Sequence, residues 1–267
     1  SLILGTDDNL EQAIDECINA PSGAYGCDIE TTGLDNRVFD GRTRDSIVGI
    51  SIAPTPNKSY YFPIGHLNDG GMNISWRRVG EQFGRLFDKE VKARPVFHNA
   101  SFDVEFLEFN GFFPLGSDRW AAASKWEDTY ILAYLLNSRD KGGRGLKALS
   151  KKLLDMEMIE LKELFSGGPN GKTVEKDYST LDPTWPPVVW YAAADSLCTL
   201  RIYDILNKQY GWAEEHSNFL YTLEKKCSTS VRWMHRCRVH IDADAALKYA
   251  KMGQCEWWES LHEVYEG

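Results

Sequence analysis

Two carboxylates spaced two residues apart, Asp28 and Glu30 in the stretch GCDIETTG (26–33), are the first side chains in this sequence whose types and spacing could do chemistry. From Ala24 the run has strand character, and alternation places Tyr25, Cys27 and Ile29 on one face and Gly26, Asp28 and Glu30 on the other. Like charges so placed repel unless a proton or a cation lies between them, so the pair reads either as a shared ligand set or as a solvated edge strand. A second group is HNASFD (98–103), in which Asn99 stands at the N-cap position of a helical run and Asp103 lies one turn further on. Taken alone, it reads as a capped helix with an early acidic residue favoured by the dipole. The third is WYAAADSLCTLRIY (190–203), where Tyr191 and Asp195 are spaced i, i+4 and share one helix face. By itself it reads as a core tyrosine and a surface aspartate.

These residues sit in a chain of 267 residues, 43% hydrophobic and 26% charged, the composition of a globular protein with a sizeable core. No apolar run approaches the roughly 20 residues of a membrane span, and no charged-then-apolar signal opens the sequence, so a cytoplasmic location and no membrane partner are expected. The first residue is Ser rather than Met, as in a processed or excised chain. Six scattered cysteines (17, 27, 198, 227, 237 and 255) form neither a C-x-x-C pair nor a disulfide framework, which favours reduced thiols. The formal net charge of −9 argues against coating a duplex, because phosphate neutralisation supplies most of that affinity. An enzyme that grips a few nucleotides and borrows its positive charge from metal ions remains compatible.

The elements that must position these groups can be read from periodicity. DDNLEQAIDEC (7–17) patterns as a capped amphipathic helix leading into the strand at 24–30, and SIVGISIA (46–53) and KSYYFPI (58–64) alternate as paired strands do. Residues 76–88 have a helical pattern; RPVF (94–97) reads as a short strand, followed by a helix stopped by Gly111. Further helices are expected at 127–137, 146–155, 187–210, 217–236 and 243–265, with loops at 139–145 and 166–187. The order predicts an α/β layered domain followed by a purely helical segment, with a boundary near 212.

Taken together and in this order, Asp-X-Glu, H-N-x-x-F-D and Tyr-x-x-x-Asp resemble the DEDD superfamily of 3′–5′ exonucleases in its tyrosine-bearing branch. TTGLD (31–35), EDTYILAYLL (127–136) and GRGLKALSKKLL (143–154) add to the likeness, which covers roughly residues 20–210. The sequence is most similar to the proofreading domain of family A, polymerase I-like, DNA polymerases, particularly those of phages, and LEKKCSTSVRWMHRCRVHID (223–242) resembles the opening helix of a polymerase thumb. The resemblance implies a ribonuclease H-like, DnaQ-like fold with a mixed central sheet flanked by helices, an exonuclease domain over 1–211 and a helical extension over 212–267. It also implies removal of nucleoside monophosphates from the 3′ end of single-stranded or frayed DNA, using two divalent ions, Mg²⁺ or Mn²⁺.

By that resemblance Asp28, Glu30 and Asp195 hold the ion that activates water, and Asp28 with Asp103 holds the second. Tyr191 orients the water. Asn99 and Phe102 contact the terminal nucleotide, and Leu34 packs on its base unless it is ordinary core. Asp128 is expected to cap a helix, and Lys141, Arg144 and Lys147 lie in or beside a Gly-rich loop, either solvated or meeting phosphates. Trp190 stands where the histidine-bearing branch carries its histidine, five residues before Asp195. Cys227, His235, Cys237 and His240 match no zinc-finger spacing. The sole Asp-Tyr-Ser, at 177–179, lacks the continuation of a polymerase palm motif, so no polymerase activity is expected of this chain, and a polymerase domain in the same or another chain is the expected partner. The alternatives are an RNA-trimming exonuclease resembling ribonuclease D and a non-catalytic module that keeps the fold.

Overall fold

A computed structural model of the chain describes residues 1–35, 38–39, 42–43, 45–68, 70–88, 90–113, 123–140, 143–165, 177–210, 214–237, 244–245 and 247–252. It divides into two compact units, Ser1–Arg232 and Trp233–Gly267.

The first unit is built on a six-stranded mixed sheet. Strand β1 (Leu2–Leu4) is followed by helix α1 (Asp7–Ile18), which opens on a capping box between Thr6 and Asn9. Next come β2 (Ala24–Thr31), a two-stranded ribbon of β3 (Val38–Phe39) and β4 (Arg42–Thr43), and the hairpin β5 (Ile47–Thr55) and β6 (Lys58–Pro63). Helix α2 (Trp76–Gly84) ends in a 3₁₀ turn, and β7 (Arg94–Phe97) leads into α3 (Ala100–Phe109), which stops where Gly111 takes a φ of +75°. A two-residue strand β8 (Glu127–Asp128) precedes α4 (Thr129–Leu136), and α5 (Leu146–Leu154), α6 (Leu161–Leu164), a 3₁₀ turn at Tyr178–Thr180, α7 (Pro186–Tyr210) and α8 (Glu214–Cys237) follow.

The sheet order is β1-β6-β5-β2-β7-β8. Strand β2 therefore runs in the interior, antiparallel to β5 and parallel to β7, with Asp28 opposite Ser51 and Glu30 opposite Gly49. The solvated edge strand is thus excluded for the Asp-X-Glu pair. The alternation read from sequence holds: Tyr25, Cys27 and Ile29 join the core under α1, α2 and α3, while Gly26 faces α7 on the opposite side. There an added Cβ would lie 2.0 Å from the Ser196 carbonyl oxygen, so strand and helix meet backbone to backbone. Strand β1 lay below what periodicity can register, having only three residues, and it is recruited by parallel pairing to β6. The start of the helix expected at 127–137 is instead β8, because Glu127 and Asp128 pair with Val96 and Phe97 before the chain turns helical.

Beyond residue 212, α8 lays Tyr221, Lys225 and Arg232 against the α/β body. Tyr221 Oη accepts from the Asp128 backbone N–H at 2.7 Å, and Lys225 Nζ reaches the Trp126 carbonyl at 2.9 Å and Glu127 Oε2 at 3.0 Å. Arg232 pairs with Glu105 at 3.6 Å. Residues 253–267, the latter part of the helix expected at 243–265, lie outside the described residues.

Candidate active site

Three of the carboxylates singled out by spacing converge. Asp28 and Glu30 from the interior strand and Asp195 from the middle of α7 each offer an oxygen within 4.8 Å of the other two. The close approach at Gly26, two residues before Asp28 and packed on Ser196 next to Asp195, sets this convergence. Asp103, one turn into α3 and 4% exposed, is near enough for its charge to act on both Asp28 and Glu30. Among the described residues none of the four forms an ion pair, and the buried Asp195 Oδ1 has no hydrogen-bond partner.

The electrostatics follow from that geometry. Burial first, and then mutual repulsion with Asp195 and Asp103, pushes Asp28 and Glu30 well above the usual carboxylate range. Asp103 is raised to about 8, chiefly by burial, although backbone hydrogen bonds at Asp103 itself and Ile29 hold it down. Asp195 rises to about 7 through burial, with the Lys147 charge acting against the rise. A donor set of hard anionic oxygens, one of them orphaned, is the chemistry that fits an oxygen-seeking divalent cation. The residues present fit such an ion.

Tyr191 shares the α7 face with Asp195, and its phenol is raised by burial and by Glu30 and Asp195. Its ring packs on Tyr178 with centroids 5.8 Å apart, and Tyr178 is itself fixed by donating to the Val188 carbonyl at 2.8 Å and by an edge contact with Tyr61. The sequence treated Tyr178 only as part of a failed palm motif; its burial beside the site depends on β6 and α7, which spacing alone does not bring together.

Asn99 occupies the N-cap position of α3, yet it does no capping. Its backbone is left-handed, with φ 70° and ψ 55°, a region where Asn is favoured among non-glycine residues. The carboxylate of Asp128 supplies the cap instead: Oδ2 accepts from Ala100 N–H at 2.9 Å and Oδ1 from Asn99 N–H at 3.2 Å. The same Oδ1 caps α4 through Tyr130 N–H at 2.8 Å and Ile131 N–H at 3.3 Å. Asp128 is thus the expected helix cap, serving two helices at once, while the Asn99 side chain caps no backbone N–H and accepts from Ser101 Oγ at 3.1 Å. Leu34 is 84% exposed, which excludes the ordinary-core alternative, and Phe102 is half-buried against Phe106 at 5.0 Å.

Arg144 and Lys147 are packed on rings rather than free in solvent. Lys141 lies outside the described residues. The Arg144 guanidinium is stacked over Tyr130 and Tyr134 at 5.5 and 5.2 Å. Lys147 is in the first turn of α5 and points toward the site, its Nζ 4.9 Å from the centre of the Tyr191 ring. The helix expected at 146–155, observed over Leu146–Leu154, carries it there.

A model of the family described as "3′-5′ exonuclease" matches residues 3–210. The chain belongs to this 3′–5′ exonuclease family. DNA polymerase I of Chloroflexus aurantiacus is 29% identical over 205 residues, covering 75% of this chain and 18% of the length of that protein. Among solved structures, Brucella melitensis NrnC bound to pGG superposes with a TM-score of 0.52 at 18% identity, covering 83% of this chain and 90% of that one. The Aedes aegypti Nibbler EXO domain gives 0.56 at 14% identity, covering 83% and 94%. The mixed sheet flanked by helices is the ribonuclease H-like, DnaQ-type exonuclease fold implied by the sequence. Among the described residues no helix is long and apolar enough to cross a membrane.

Proposed function

We propose that this chain removes nucleoside monophosphates from DNA 3′ ends in a reaction that depends on two divalent ions, and that it acts as a proofreading exonuclease. One observation carries the reading: Asp28, Glu30 and Asp195 are gathered in a half-buried cluster beside Tyr191 with no ion pair among the described residues to balance them. The likeness to a DNA polymerase I over 205 residues supports DNA as the substrate and a polymerase domain as the partner.

In this reading Asp28, Glu30 and Asp195 hold one ion and Asp28 with Asp103 the other. Bound there, the ions would make water acidic enough to attack at neutral pH and offset the charge on the departing 3′ oxygen. Tyr191 keeps its proton at neutral pH, since its phenol lies above its ordinary value, and so it orients the attacking water by a hydrogen bond rather than removing a proton. Asn99, freed from capping, and Phe102 meet the terminal nucleotide, and the exposed Leu34 side chain packs on its base. A chain of net charge −9 has little with which to open a duplex, so frayed or mismatched ends are the preferred substrates.

Matched 5′-labelled DNA and RNA oligonucleotides, incubated with Mg²⁺, Mn²⁺ or EDTA, test the proposal. Stepwise shortening of DNA from the 3′ end, faster at a mismatched than a paired terminus and absent in EDTA, is expected. Faster shortening of RNA would replace proofreading by the RNA-trimming alternative, and unchanged turnover in EDTA would remove the metal-dependent reading.

A further inference from the structure

Lys147 is held from three sides. Its ammonium donates to the Ile159 carbonyl at 2.7 Å and to Glu160 Oε2 at 3.4 Å, and it lies 4.9 Å from the centre of the Tyr191 ring. Glu160 is fixed in turn at the head of α6, where its backbone N–H donates to Glu163. Tyr191 is therefore clasped between the Tyr178 ring and a tethered cation, in the range where an ammonium is attracted to an aromatic face. A lysine serving only solubility would keep its four-carbon stem free, since ordering it costs rotamer entropy.

We propose that Lys147 is a positioning residue for Tyr191: tethered to Ile159 and Glu160, it fixes the ring so that the phenol stays aimed beside Asp195, and it places one positive charge next to the acidic cluster. This rests on the assignment of Tyr191 to orienting water. With its ammonium over the ring of Tyr191, one helical turn from Asp195, Lys147 sets that charge beside the cluster.

A double-mutant cycle on single-stranded DNA, combined with Mn²⁺ binding to the whole chain in the absence of substrate, tests the inference. Lys147→Met keeps the stem and removes the cation. It is expected to lower kcat about 10-fold with KM changed less than about 2-fold, and to add nothing in the Tyr191→Phe background, because groups that act as a unit are not additive. Lys147→Arg, which can also lie over the ring, is expected to recover most of the loss. Removing the charge is expected to tighten Mn²⁺ binding about 3- to 10-fold, as a charge within several ångströms of the ligands would do. Equal losses with and without Tyr191→Phe, or wild-type kcat together with unshifted Mn²⁺ binding, would overturn the proposal. Thermal unfolding of each variant separates these outcomes from misfolding; should Lys147→Met unfold, Glu160→Gln, which releases one tether, is measured in the same cycle with the same criteria. If Tyr191→Phe alone keeps wild-type turnover, the assigned role of Tyr191 falls; if it slows and Lys147→Met does not, only the role of Lys147 falls.

Discussion

Carboxylates drawn in from the surface occur in two settings in this molecule, and they are compensated in opposite ways. Where α8 docks, Glu127 meets Lys225 at 3.0 Å and Arg94 at 2.6 Å, and Arg232 meets Glu105 at 3.6 Å and Glu108 at 3.5 Å. At the site, Asp28, Glu30 and Asp195 crowd one another, and Lys147 beside them is tied to Ile159, Glu160 and the Tyr191 ring. Glu127 and Glu105 are fully buried, whereas Asp28, Glu30 and Asp195 are half-buried and keep some access to water. In the seam the chain supplies its own counter-charges and gains a fixed helix position. In the cluster it withholds them, and the withheld charge is what an external cation would provide.

The largest effect expected from this contrast is on turnover. Asp28→Ala should lower kcat by at least about three orders of magnitude, the scale of losing several kcal/mol of charge stabilisation. The melting temperature of the metal-free protein should not fall, since the change relieves repulsion. Steady-state kinetics beside thermal unfolding in EDTA would show both; a large drop in melting temperature would mean that Asp28 is compensated after all.

Lys225→Ala should do the reverse, leaving Glu127 buried with only the half-exposed Arg94. A cost of about 3–5 kcal/mol is expected, the usual consequence of removing one partner of a buried pair. Urea unfolding measures it, and a cost below about 1 kcal/mol would place the pair with exposed ones.

The smallest effect is a pH slope. Asp103 at about 8 and Asp195 at about 7 lie above the unfolded value of 3.8, so the metal-free folded chain holds protons that the unfolded chain has released. Stability from these groups is present at lower pH and is lost as pH rises through about 7 to 8. His98, depressed by burial from 6.5 to about 4, acts the other way, but only below 6.5. Melting temperatures in EDTA should therefore decline between pH 6.5 and 8.5, and Asp103→Asn should flatten the decline. A level profile in the unsubstituted protein would mean solvated, already ionised carboxylates.

How much of this was legible in the sequence differs between the two regions in the same way. The cluster announced itself because Asp28 and Glu30 interrupt a strand pattern and Tyr191 and Asp195 share a helix face, both local features. The seam did not, because Lys225 and Glu127 are 98 residues apart and each looks like an ordinary surface charge on its own helix. Asp128 was recognisable as a cap, but not as a cap for two helices, since its second client, α3, arrives through sheet pairing of β7 with β8. The helix that carries Lys147 was legible from its leucines at 146 and 149, but the tether of Lys147 to Ile159 and its approach to Tyr191 were not, since both partners are more than ten residues away in sequence. Strand β1 was too short to carry a period.

The bare backbone contact at Gly26 has a consequence for how this site can drift. A side-chain spacer between β2 and α7 could be exchanged for another of similar bulk, and the gap between Asp28 and Asp195 would wander with each exchange. With a carbonyl of Ser196 seated where a Cβ would be, there is nothing to exchange. The two elements act as the jaws of a caliper closed to its stop: the surrounding core can be repacked over generations of substitutions while the reading between the jaws stays the same.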